Sequence, residues 1–183
     1  MNRSKKGLSF ILVLAGTLML LASLFLPYVS ATEEHAKEID SGQTDFWGGN
    51  EKNISVFDLI KEHVQESKKD VITFNHGGAQ VTMDQLTYRL VFFGFYGLLA
   101  GFVILALILA LAWKPAGTLV LSLLSAALYF YLMHSSGDWN IMFLKEYRRG
   151  IGFWIGWAGY MLLAIGSVWM MIRKSALKKV SEK

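Results

Sequence analysis

The chain has 183 residues, of which 54% are hydrophobic and 17% are charged, and its formal net charge is +4 at pH 7. Ordinary soluble domains carry about 25% charged residues, so this composition excludes a typical soluble protein. The chain has no cysteine, which excludes disulfides, thiol redox chemistry and thiolate metal sites.

Four long runs without internal charge account for the apolar excess. They cover residues 8–26, 90–113, 116–133 and 151–172. A helix needs roughly 20 apolar residues to cross a bilayer, and in lipid its backbone polar groups must be satisfied within the segment. The runs therefore predict four transmembrane helices rather than buried helices of a soluble protein.

The first run follows the basic segment MNRSKK and precedes a Val-Ser-Ala sequence that signal peptidase could cleave. Its length of 19 residues exceeds the roughly 7–15 residues of a signal-peptide apolar region. We therefore expect a retained anchor. Residues 1–27 are assigned to a basic cytoplasmic N-terminus and transmembrane helix 1.

Residues 28–87 form the longest polar segment, and they predict a small α+β domain. Residues 31–53 are polar and glycine-rich, so they are predicted to be mostly loop. In SVFDLIKEHVQES, Ser55 is a plausible N-cap with Asp58 at the third helical position. The next stretch, DVITFNHGGAQVTM, has the pattern of two short strands around a glycine-containing turn.

A second capping pattern, Thr82 followed by Gln85, precedes the second apolar run. It predicts a helix that begins near Met83 and continues into transmembrane helix 2, residues 88–113. Residues 114–134 then supply a tight WKPAG turn and transmembrane helix 3.

The segment before transmembrane helix 2 is acidic, with eleven acidic residues against five lysines over residues 28–87. An acidic surface favours a basic or cationic partner through screened electrostatics. The candidate partner surface comprises Glu33, Glu34, Glu38 and Asp40, together with Trp139 and Phe143 of a later loop.

Glycines recur at helical spacing in two of the runs. In lipid, small residues let helix backbones approach closely, so these glycines are predicted to be helix-packing faces that could meet at equal depth, directly or around a partner helix. They are Gly94, Gly97 and Gly101 in the second run, and Gly152, Gly156, Gly159 and Gly166 in the fourth.

The third run carries a polar stripe, Thr118, Ser122, Ser125 and Tyr129. Two interpretations stay open: hydrogen bonds between helices, or a polar lining for a small molecule or lipid headgroup. After it, the loop of residues 135–150 contains apolar residues at 139–144. They predict a short helix on the membrane surface or under the outer domain, with a partner-binding patch as the alternative.

Transmembrane helix 4, residues 151–172, is followed by a basic tail, residues 173–183. Lys and Arg accumulate on the cytoplasmic side of membrane proteins. Placing both termini in the cytoplasm puts nine basic residues there and residues 28–87 outside. Arg148 and Arg149 oppose this rule, but they are outnumbered.

No Asp, Glu, Lys, Arg or His lies in the middle of any run, which argues against proton-coupled pumps and ion carriers. His63 and Glu66 have the helical i, i+3 spacing of a metal site, but solvated surface polarity is the simpler interpretation. The sequence predicts no catalytic residues, no metal and no cofactor, and it contains nothing that indicates nucleic-acid binding.

Three segments carry a family resemblance: LPY after the first run, SVFDLI, and GIGFW at the start of the fourth. They resemble small, uncharacterised four-span envelope proteins of bacteria. The layout is also similar to that of claudins, with a large first outer loop and a smaller second one. The Trp-Gly-Leu-Trp run and paired cysteines of claudins are absent, so the resemblance implies topology and no chemistry.

Together these features predict an all-α membrane protein, a four-transmembrane-helix bundle with a small α+β extracytoplasmic domain between spans one and two. The leading functional hypothesis is a non-catalytic accessory or interaction protein of the plasma membrane, whose partners are the lipid bilayer and an envelope protein or a second copy. The alternatives are a small transporter, channel or lipid-binding protein, and an immunity or resistance factor against a membrane-active toxin.

Overall fold

The structure, a computed structural model, describes residues 4–42, 52–76, 79–135 and 147–181. The described chain is mostly helical, with six helices and five short strands. It divides into two compact units. Unit 1 comprises Met1–Leu20, Gly97–Tyr129 and Trp157–Lys183, and unit 2 comprises Leu21–Tyr96 and Phe130–Gly156.

The elements follow one another closely along the chain. The helices are α1 (Ser4–Ser23), α2 (Glu33–Ser41), α3 (Val56–Glu66), α4 (Gln85–Leu111), α5 (Pro115–Ser135) and α6 (Ile151–Ser181). The strands are β1 (Pro27–Ala31), β2 (Asn53–Ser55), β3 (Val71–His76), β4 (Ala79–Asp84) and β5 (Tyr147–Arg149).

Two helices are long and apolar enough to cross a membrane among the residues that the structure describes. They are α4, over Gln85–Leu111, and the part of α6 over Ile151–Ala176. The corresponding apolar parts of α1 and α5, Gly7–Ser23 and Pro115–Tyr131, are shorter. These two candidate spans are weak evidence of membrane association, and the four-span arrangement stays a prediction.

Unit 2 contains two small antiparallel sheets. In the first, β1 lies between β2 and β5, with Val29 opposite Arg149 and Ile54. In the second, β3 pairs with β4 from Val71↔Asp84 to His76↔Ala79, which confirms the predicted pair of strands. The turn between β3 and β4 lies outside the described residues.

The capping prediction for α3 is confirmed. Ser55 Oγ accepts from the Asp58 backbone N–H at 3.1 Å, and the Asp58 carboxylate accepts from the Ser55 N–H at 2.9 Å. These reciprocal bonds satisfy two backbone donors at the start of the helix.

Two local predictions are wrong. Part of the predicted loop 31–53 is the helix α2, and α4 begins at Gln85 rather than near Met83. Asp84, not Thr82, caps α4, because its carboxylate accepts from the backbone N–H and the hydroxyl of Thr87 at 3.0 and 2.6 Å. These bonds lower the pKa of the exposed Asp84. Thr82 is paired within β4 instead.

The turn between α4 and α5 is compact because one residue takes the left-handed backbone conformation. Trp113 has φ +56°, and the Lys114 N–H donates to the Leu109 carbonyl at 2.8 Å. This is the hydrogen bond of a Schellman helix end. Pro115 then starts α5, where its missing N–H costs no helical hydrogen bond.

Candidate functional site

The helix α2 carries the predicted acidic surface and is capped at both ends. The Thr32 hydroxyl accepts from the His35 N–H at 3.4 Å, which satisfies one free donor of the first turn. Gly42 ends the helix at φ 71°, and its N–H donates to the Glu38 and Ile39 carbonyls. A positive φ of this kind favours glycine, which explains the residue at this position.

One buried side chain of α2 fixes its orientation on the first sheet. His35 is only 4% exposed, and its ring lies edge-on to that of Tyr147 in β5, with 5.2 Å between centroids. Its Nδ1 lies 3.1 Å from the Glu38 carboxylate. Because His35 faces the sheet, the charged residues of the helix are left on its solvent side.

The four predicted carboxylates of α2, Glu33, Glu34, Glu38 and Asp40, are all exposed. Asp40 pairs with Lys52 at 2.7 Å, and Glu38 contacts His35. Within the described part of the chain, Glu33 and Glu34 have no basic group within 4.0 Å. We call the four carboxylates Glu33, Glu34, Glu38 and Asp40 the acidic helix surface. Glu33 and Glu34 also lie in the first turn of α2, where carboxylates are favourable because of the helix dipole.

The second histidine of interest, His63, lies in an aromatic cluster of unit 2. Its Nδ1 is hydrogen-bonded to the Tyr88 hydroxyl, and its ring stacks on Phe92 with 4.4 Å between centroids. Burial lowers the pKa of His63 to about 4, against a smaller opposing effect of Glu66. His63 is therefore neutral near pH 7 and holds α3 against the first turns of α4.

The interpretation of His63 as a solvated surface residue is wrong, because His63 is only 4% exposed. The described ranges contain no group of three or more His, Cys, Asp or Glu residues that could hold a metal ion. The neighbouring polar contacts close the end of α3 instead. Gln85 and Arg89 of α4 both donate to the Ser67 carbonyl, at 2.8 and 3.0 Å.

The polar stripe of α5 is buried in unit 1. Thr118, Ser122, Ser125 and Tyr129 are each at most 4% exposed. The Thr118 hydroxyl donates to the carbonyl of Lys114, the residue before α5, at 3.1 Å, and the Ser122 hydroxyl donates to the Thr118 carbonyl at 2.7 Å. Ser125 Oγ lies 3.1 Å from the Tyr160 hydroxyl of α6, and the Tyr129 ring lies 5.4 Å from that of Tyr160. Ser125 and Tyr129 therefore contact α6, and the polar lining for a small molecule or lipid headgroup stays a prediction.

The glycines of α6 lie against neighbouring backbone. A Cβ added to Gly159 would lie 2.9 Å from the Gly16 carbonyl oxygen, and one added to Gly166 would lie 3.1 Å from that of Ser9. Within unit 2, a Cβ on Gly152 would lie 2.6 Å from the Leu26 oxygen. Gly156 is also buried. The close approach of backbone at Gly152, Gly159 and Gly166 requires residues without a side chain.

The glycines of α4 differ from this pattern. Gly94, Gly97 and Gly101 are exposed, and a Cβ at any of them would meet no described atom within 4 Å. The sequence predicted that these glycines could meet those of α6, directly or around a partner helix. The structure shows α1 against Gly159 and Gly166 and leaves the α4 glycine face open.

Sequence reasoning missed Gly16, the glycine of α1 that faces α6. A signal was available, because Ser9, Gly16 and Ser23 are small residues at intervals of seven, and all three are buried. Such spacing keeps small residues on one side of a helix. The fourth run has the matching interval in Gly152, Gly159 and Gly166.

The remaining predicted partner residues, Trp139 and Phe143, lie outside the described residues, and so does the short helix expected there. The chain matches no family model, no curated protein and no solved structure. The resemblance to small four-span envelope proteins therefore stays a prediction. Function has to be argued from the contacts and charges of this chain alone.

Proposed function

We propose that the protein is a non-catalytic accessory protein of the plasma membrane. In this proposal α1, α4, α5 and α6 cross the bilayer, both termini are cytoplasmic, and unit 2 carries α2 on the extracytoplasmic side. The acidic helix surface then binds a cationic partner in the envelope. The exposure of all four α2 carboxylates, with His35 anchored on the sheet, is the observation that carries this proposal.

Helix length and surface composition support the crossing of all four helices. The apolar parts of α1 and α5, Gly7–Ser23 and Pro115–Tyr131, are each about 25 Å long at 1.5 Å per residue, which is at the lower end of the range for a transmembrane helix. Large apolar side chains are exposed on them, including Ile11 and Leu18 on α1 and Val120 and Leu123 on α5. In water this exposure would be costly, whereas in lipid it is the favourable arrangement.

The sorting of charge supports the orientation. Basic residues collect at the N-terminus, in the α4–α5 turn and after α6, whereas α2 carries Glu33, Glu34, Glu38 and Asp40 against Lys37. The cytoplasmic ends of spans are enriched in Lys and Arg. The chain has no cysteine, so single cysteines at Lys69 and Lys174 can be labelled cleanly in intact cells with an impermeant maleimide. Labelling at Lys69 alone is expected, and labelling at Lys174 alone would reverse the orientation.

The partner is tested by site-specific photocrosslinking in native membranes. A photoreactive residue at Glu34 is expected to capture a partner, because Glu34 is exposed and has no described basic contact. The same residue at Lys61, an exposed position on α3, is the matched control. Capture at Glu34 should fall as salt rises, since exposed charges are screened over about 8–10 Å at physiological ionic strength.

Adding E33Q, E38Q and D40N to the variant with the photoreactive residue at Glu34 should abolish the capture. Equal crosslinking at Glu34 and Lys61, or capture that persists in the neutralised variant, would contradict a role for the acidic helix surface.

A further inference from the structure

Two exposed arginines precede α6, and the acidic helix surface does not explain them. Arg148 and Arg149 are the last two residues of β5, and both are exposed. No carboxylate of the described residues lies within 4.0 Å of either guanidinium group. Successive side chains of a strand point to opposite faces, so each guanidinium group, having no described carboxylate beside it, attracts an anion on its own face of β5.

The backbone that carries these arginines is held firmly in unit 2. Arg149 pairs with Val29 of β1 and Arg148 with Ser30. The next residue, Gly150, donates its N–H to the Tyr28 carbonyl at 2.8 Å. The two arginines therefore leave a fixed strand rather than a loose loop.

The Arg149 guanidinium also lies against aromatic rings at the start of α6. Its central carbon is 4.7 Å from the centroid of Phe153 and 5.9 Å from that of Trp154. Stacking on a ring uses the face of the guanidinium and leaves its N–H donors in their plane available. Trp154 is 57% exposed and Ile151 is 59% exposed, so the apolar surface of α6 begins immediately after the charged pair.

We infer that Arg148 and Arg149, one from each face of β5, bind the phosphates of anionic phospholipid headgroups, an inference that rests on the proposed placement of α6 across the bilayer. At the start of a membrane-crossing helix the pair lies at headgroup level, where tryptophan is also enriched. The guanidinium group matches phosphate geometry through two parallel hydrogen bonds. Both charges then have a partner, although no described carboxylate lies beside either of them.

The test uses the purified full-length protein and native mass spectrometry with phosphatidylglycerol and phosphatidylcholine of identical acyl chains. The wild type should retain phosphatidylglycerol at least about tenfold more tightly than phosphatidylcholine, as expected for hydrogen bonds between charged groups. The R148Q/R149Q variant should lose this preference. The R149K variant should keep part of it, because lysine retains the charge without the planar fork.

The K61Q variant is the matched control, since it removes one exposed charge of α3 and should leave the lipid preference unchanged. Far-UV circular dichroism shows whether the variants remain folded. A wild type that does not distinguish the two lipids, or an R148Q/R149Q variant that still prefers phosphatidylglycerol, would overturn the inference. The acidic-surface variant should keep the lipid preference, so failure of partner capture and failure of lipid binding are separate results.

Discussion

The contact of α1 with α6 in unit 1 leads to a prediction that only the structure could supply. In Gly16→Ala, the added Cβ would lie 2.7 Å from the Gly159 oxygen and 3.0 Å from the Leu163 nitrogen. Both are backbone atoms of a helix, so no side-chain rotation can relieve the overlap. The two helices must separate locally to accommodate one methyl group.

The magnitude follows from that overlap. A carbon–oxygen contact is normally about 3.3 Å or longer, so the backbones would have to move apart by about 0.6 Å. Overpacking of this kind costs roughly 1–3 kcal/mol. For a chain of this size that free energy corresponds to a decrease in Tm of about 2–12 °C.

Two other glycines provide matched controls. Gly101→Ala places its Cβ in open space, and Gly117→Ala meets the Leu109 side chain, whose end is flexible. Without such a backbone overlap, Gly→Ala within a helix is expected to be neutral or stabilising by up to about 1 kcal/mol, because alanine has the higher helix propensity.

The assay is thermal unfolding of the purified protein in one detergent, followed by circular dichroism for all three variants. Gly16→Ala should melt clearly below the wild type, and the two control variants should melt close to it or slightly above it. Equal melting temperatures for Gly16→Ala and Gly101→Ala would refute the close contact of α1 with α6. A loss confined to Gly101→Ala would instead locate the tight packing on α4.

Three further predictions concern individual contacts. A double-mutant cycle of Ser125→Ala and Tyr160→Phe should show a coupling of about 0.6–1.7 kcal/mol in chemical unfolding, and additive losses would argue against their hydrogen bond. The folded protein disfavours protonation of His63, whose pKa is lowered from 6.5 to about 4. Its stabilising contribution to unit 2 is therefore complete above pH 6.5 and is lost as the pH falls towards 4, by up to about 3 kcal/mol. His63→Phe should flatten the stability difference between those pH values, and an unchanged slope would contradict this assignment. Ser55→Ala should weaken the start of α3 by about 1 kcal/mol, measured as faster amide exchange there, whereas unchanged exchange would show that the cap contributes little.

The local features of this protein were predictable from its sequence because each depends on neighbouring residues. The apolar runs correspond to α1, α4, α5 and α6, and charge-free length is enough to identify them. Ser55 and Asp58 predicted the start of α3 because a capping box is contained within four residues. The strands β3 and β4 were predictable because they alternate around a short turn.

The sequence was less informative where short elements are stabilised from a distance. The strands β1 and β5 are only 5 and 3 residues long, too short for a periodic pattern, and they pair across most of the chain. The helix α2 was missed because its sequence is polar and His35 is its one buried residue. The stabilising partner in each case is remote in sequence.

Helix periodicity determined which residues share a face but not what that face meets. Gly94, Gly97 and Gly101 recur at helical spacing, as the α6 glycines do. Backbone atoms lie against Gly152, Gly159 and Gly166 of α6, whereas no described atom lies against the three glycines of α4. Likewise, periodicity placed Ser125 on a polar stripe, whereas the tertiary structure places the Tyr160 hydroxyl beside it. A one-dimensional pattern fixes direction around one helix axis, whereas the choice of neighbour depends on how all the helices fill space together, which only the tertiary structure decided.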